Sequence, residues 1–61
     1  MQFQEDDRIE TTVDKDYDNE AFPAGTRGTI VAVWEVSKRY LVKLDGAQQN
    51  HIFYEWELAP A

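Results

Sequence analysis

Sixty-one residues make one domain close to the lower size limit for a chain that folds without staples. With no cysteine, neither a disulfide nor a thiolate metal site is available. Twelve acids against six bases leave a formal net charge of −6, a field that repels nucleic acid and attracts basic surfaces. No apolar run approaches the ~20 residues of a membrane span, and MQFQEDD lacks the basic-then-apolar pattern of a signal peptide. The expectation is a soluble cytoplasmic protein with no membrane partner.

In chain order, residues 1–7 are polar except Phe3 and read as a flexible lead-in. Arg8 to Val13, RIETTV, sets Ile9, Thr11 and Val13 against Arg8, Glu10 and Thr12, the period of two of a strand with one buried face. Asp14 to Gly25 has no period and is rich in Asp, Asn, Pro and Gly, so it reads as a long acidic loop that Tyr17 and Phe22 could pack. Gly25 and Gly28 then frame the start of the longest apolar run, TIVAVWEV, rich in β-branched residues. Both faces of that run are apolar. A bulge near Val31-Ala32 would bring Ile30 and Val33 to one side. At Gly28 a close approach of backbones is expected.

Ser37-Lys38 makes a short turn into RYLVKLD, with Tyr40, Val42 and Leu44 on one face, and Asp45-Gly46 is a hairpin signal. Gln49 to Phe53 returns as a fourth strand, Tyr54-Glu55-Trp56 breaks the alternation as a single tight turn, and Glu57 to Ala59 closes the chain before Pro60. No segment carries a helix of ten residues. The fold class is all-β, with a core expected from Ile9, Val13, Ile30, Val33, Tyr40, Val42, Leu44 and Leu58.

Three stretches, AGTRGTIVAVW, RYLVKLDG and YEWELAP, carry a resemblance to small bacterial SH3-like barrel proteins. It spans Arg8 to Pro60, nearly the whole chain. It implies a small five-stranded SH3-like barrel over residues 8–61, with a long acidic first loop and a one-turn 3₁₀ helix before the last strand. Such barrels host unrelated roles. They include accessory subunits of photosynthetic and redox complexes, KOW-type RNA-binding modules, and a CarS-like acidic antirepressor that occupies a repressor's DNA-reading surface. Peptide-binding SH3 domains carry a tryptophan pair where Arg39-Tyr40 stands here, and proline and serine where Asn50-His51-Ile52-Phe53 stands, so polyproline recognition is not expected.

Chemistry narrows the roles further. One histidine (His51), one serine (Ser37) and no cysteine cannot supply a nucleophile with a base and an orienter, so no catalytic residue and no cofactor is expected. Asp14, Asp16 and Asp18 match the first three ligand positions of a calcium loop. Asn19 stands at the sixth position, where glycine belongs, and Gly25 at the twelfth, where glutamate belongs, so no metal site is assigned. Arg27, Lys38, Arg39 and Lys43 make too small a basic set for nucleic acid against twelve acids.

The charge itself is segregated. Residues 1–20 hold eight acids and two bases, and the remainder is balanced at four of each. The leading expectation is therefore a monomeric acidic protein-binding module that engages a basic surface of a partner. Asp14, Asp16, Asp18 and Glu20 would steer it, Tyr17 would anchor it, and Trp34, Tyr54 or Trp56 would contribute where exposed. The antirepressor role is one form of this. The alternative is an accessory subunit docked on a larger enzyme through Leu41 and an outward Val31 or Trp34.

Overall fold

Strand β4, Arg27–Trp34, is where the chain's longest apolar run meets a strand on either side at the centre of the sheet. The computed structural model describes residues 2–61; Met1, the first residue of the expected lead-in, lies outside them. The other elements are β1 (Arg8–Thr11), β2 (Lys15–Asp16), β3 (Ala21–Phe22), β5 (Arg39–Leu44), β6 (His51–Tyr54), a single 3₁₀ turn at Glu55–Glu57, and β7 (Leu58–Pro60). Five strands form one sheet in the order β6-β5-β4-β1-β7, each antiparallel to its neighbours, and β2 and β3 pair separately as a ribbon. The protein is all-β, with its 3₁₀ turn one residue later than the expected Tyr54-Glu55-Trp56, since Tyr54 ends β6 and Glu57 belongs to the turn. The sheet is open, with β6 and β7 as its edges, and does not close on itself.

A bulge in β4 resolves the two-faced apolar run. Ile30 pairs with Val42, but the next partners are Ala32 and Leu41, so Val31 is the extra residue. Ile30 is fully buried, and Val33 packs against the core from the same side. The bulge also bends and twists the strand locally, so that it can pair with both β1 and β5.

Ile9, Ile30, Tyr40, Val42, Leu44 and Leu58 are buried, as their alternation predicts, joined by Phe3, Ala47 and Phe53. Val13, expected among them, is only half-buried. The strand that should carry it ends at Thr11, one residue before a last ladder bond from the Thr12 N–H to the Glu57 carbonyl at 2.8 Å. Phe3 comes from the segment read as a lead-in. Its ring meets Tyr40 edge-on at 5.5 Å, and its N–H donates to the Tyr40 hydroxyl at 3.3 Å. The Asp6 N–H to Ile30 carbonyl bond (2.8 Å) and the Ile30 N–H to Asp7 carbonyl bond (2.9 Å) continue the ladder beyond β1.

Val42 has no exposed surface and sits mid-strand between Ile30 and His51. Val42→Ala is expected to cost about 2 kcal/mol in urea unfolding, from lost burial plus a residual cavity. A loss under about 0.5 kcal/mol would mean that this part of the core collapses around the gap.

Candidate protein-binding surfaces

The acidic segment is a hairpin, not an irregular loop. Lys15 pairs with Phe22 and Asp16 with Ala21, and Tyr17 and Glu20 exchange backbone hydrogen bonds of 2.6 and 3.3 Å across the tip. Its acids have different settings. The Asp14 carboxylate accepts the Ala24 N–H at 2.7 Å and ties the base of the hairpin. Glu20 is half-buried: one carboxylate oxygen accepts the Gln48 N–H at 2.8 Å and the other lies 3.4 Å from His51 Nε2. Asp16 and Asp18 remain exposed at the tip. Among the described residues no group of three or more histidines or carboxylates is placed to hold a metal ion.

Tyr17 is held rather than presented. Its ring lies parallel to His51, with centroids 3.8 Å apart and planes 8° apart, and meets Phe22 edge-on at 6.3 Å. Burial pushes its phenol above the ordinary value and the nearby Glu57 charge adds to this, while Lys15 acts in the opposite sense. The hairpin is pinned once more by Lys15, whose ammonium pairs with the buried Glu57 carboxylate and lies 5.6 Å from the centre of the Phe53 ring. Between the tip and the Gln48–His51 segment lies an open hollow of about 490 Å³, bordered by Asp16, Asp18 and Glu20.

The exposed aromatics lie elsewhere. Register sets Trp34 opposite Arg39 and Arg39 opposite Tyr54, so the three residues form one row on the outward face of β4-β5-β6. The next row on that face is Ala32, Leu41 and Ile52, with the bulged Val31 beside it. Val31, Trp34, Ile52 and Tyr54 are each 40–51% exposed. Trp56, the most exposed ring at 69%, stands on the 3₁₀ turn beside a hollow lined by Phe3, Leu58, Ala59 and Pro60.

Alternation along β6 sends His51 and Phe53 to one face and Ile52 and Tyr54 to the other. Tyr17, stacked on His51, therefore lies behind the strand that carries Tyr54 in front. The expected composite of Tyr17 with neighbouring Trp34 and Tyr54 is instead two surfaces: an acidic hairpin tip and an apolar outer face. No protein-family model, curated protein or solved structure matches the chain. No helix among the described residues is long and apolar enough to cross a membrane.

Three residues that organise the hairpin, His51, Lys15 and Glu57, are not given that role by the sequence. Lys15 did leave a signal, as the one base inside an otherwise acidic loop. His51 and Glu57 left none, because their partners lie 31 and 42 positions away and no periodicity joins them.

Proposed function

We propose that this chain is a small acidic protein-binding module that engages a basic surface of a partner protein. The observation that carries the reading is charge placement. Eight of the twelve acids fall in the first twenty residues, and Asp16 and Asp18 stand exposed on a hairpin that Lys15, Glu20 and His51 fix to the sheet. A rigid acidic tip raises the rate of encounter with a cationic patch without an entropic cost of ordering. An SH3-like barrel is the finer fold proposed. What supports it is the order β6-β5-β4-β1-β7, the hairpin inserted between β1 and β4, the bulged central strand, and the 3₁₀ turn before the last strand. The antirepressor role, in which the acidic tip takes the place of DNA on a repressor, is a concrete form of the same reading and rests on the resemblance and the charge.

One observation favours a second reading. The outer face exposes Val31, Trp34, Ile52 and Tyr54 around Leu41, with Arg39 between the two rings, the kind of largely apolar surface that a permanent partner covers. An accessory subunit of a larger enzyme or redox complex would be held through it.

Salt separates the two. Pull-downs at low and high ionic strength are expected to recover a partner mainly at low salt, because interactions between exposed charges are screened within about 10 Å at 0.1 M. With that partner, changing Asp16 and Asp18 to asparagine is expected to slow association about three- to tenfold at low salt and to flatten the salt dependence, with dissociation little changed. Unchanged association rates and salt slopes, with a complex that survives high salt, would transfer the reading to the apolar face.

A further inference from the structure

Beside Trp34 the chain forms a groove of about 740 Å³ between the N-terminal segment and the β4–β5 turn. Phe3 and Val33 form its floor, Trp34 and Val36 its apolar wall, and Glu5 and Glu35 its acidic rim. Val36 is fully exposed, although it is a β-branched residue at the end of the chain's longest apolar run. Neither Glu5 nor Glu35 has a hydrogen-bond or ion-pair partner among the described residues. No basic side chain lines the groove, and Arg39, at the start of β5, donates from Nε to the Ser37 hydroxyl at 3.2 Å.

We infer that this groove receives an arginine side chain from an extended segment of a partner protein, stacked on Trp34 between Glu5 and Glu35. The inference rests on the acidic-module reading and names the chemistry of its partner. Arginine fits better than lysine. Its planar guanidinium stacks on an indole face while its edges donate to carboxylates on either side, whereas an ammonium is a compact, strongly hydrated point charge. An aliphatic neighbour of the arginine would lie against Val36. The Tyr40 phenol behind Phe3 is pushed above its ordinary value first by burial, with the Phe3 N–H opposing this and Glu55 and then Glu35 adding to it. The groove shares no lining residue with the hollow at the hairpin tip, so the two acidic surfaces can be tested apart.

The probe is a blocked five-residue peptide, Gly-Arg-Val-Arg-Gly, with a counterpart in which citrulline, equal in shape but uncharged, replaces both arginines. NMR of the labelled protein follows the Trp34 indole N–H, with the Trp56 indole, outside the groove, as an internal reference. The arginine peptide is expected to shift Trp34 and the Val36 amide while leaving Trp56 in place, and the citrulline peptide is expected to bind at least about threefold more weakly. Glu5→Gln with Glu35→Gln should weaken the arginine peptide roughly three- to tenfold, and Trp34→Ala should do at least as much, read at Val36. Asp16→Asn with Asp18→Asn should leave it unchanged. Equal affinity for both peptides, an equal shift of Trp56, or no shift of Trp34 at about 10 mM peptide would overturn the groove assignment. Loss of binding in the Asp16 and Asp18 variant alone would overturn it as well, while leaving the acidic-module reading standing on the hairpin tip.

Discussion

Gly28→Val is expected to leave the chain largely unfolded at room temperature, and Gly28→Ala to unfold at a visibly lower urea concentration. The cause is steric, not conformational freedom, since the glycines held at positive φ are Gly25 and Gly46. A Cβ on Gly28 would stand 2.7 Å from the Lys43 carbonyl oxygen, 2.9 Å from Leu44 Cα and 3.0 Å from Leu44 Cδ2. Two of those three atoms are backbone, so no rotamer change relieves the contact. Gly28 pairs with Ile9 on one side and Leu44 on the other. Moving β5 aside would open the core between two buried residues.

Overpacking of this kind costs about 1–3 kcal/mol per site and more where backbone must shift. A domain of this length holds only about 3–9 kcal/mol in total. Alanine should therefore take roughly a third to a half of the stability, and valine, with two further methyls, most of it. The check is far-UV circular dichroism with urea titration of both variants. Wild-type midpoints would show that β4 and β5 separate at no cost.

Legibility followed the range of the interactions. Where alternation of two ran cleanly, as in Ile9 and Thr11 or Tyr40, Val42 and Leu44, the inward face could be read directly. The bulge was readable because β4 is apolar on both faces and only an extra residue lets Ile30 and Val33 share a side. Phe3 was missed because one ring in a polar stretch has no period, although its burial against Tyr40 is what fixes the N-terminal segment.

The hairpin was missed for a different reason. Strands of two residues each are too short for a pattern, and what stabilises them is Tyr17 on His51, Glu20 on Gln48 and Lys15 on Glu57. All three are pairings between distant parts of the chain. The candidate surfaces divided along the same line. The exposure of Trp34, Tyr54 and Trp56 fits their place outside the alternating core, whereas the withdrawal of Tyr17 and Glu20 from the tip depended on partners that no local reading supplies.

Lys15→Met is expected to cost about 3 kcal/mol, far more than an ordinary change of a lysine in an acidic hairpin. The Glu57 side chain has a relative exposure of 5% and the Lys15 side chain 28%. Glu57 is held there by a second bond, since its Oε1 accepts the Tyr54 N–H at 2.9 Å and caps the 3₁₀ turn. Methionine keeps the stem of Lys15 over Phe53 but leaves the carboxylate buried without a counter-charge. Breaking a buried pair in this way costs about 3–5 kcal/mol, and the low end applies because water reaches the lysine side.

Glu57→Gln should cost less, about 1–2 kcal/mol, because its amide oxygen still accepts the Tyr54 N–H and the freed ammonium can turn toward solvent. If the pair acts as a unit, the double variant should be little worse than Glu57→Gln alone, with a coupling of about 2 kcal/mol. Urea unfolding of the four proteins measures this. Single costs that sum to the double within about 0.5 kcal/mol would make Lys15–Glu57 a screened surface contact. The hairpin that presents Asp16 and Asp18 would then hang on the Tyr17–His51 stack and the Glu20 hydrogen bonds alone, and His51→Ala, not Lys15→Met, would be the change that releases it.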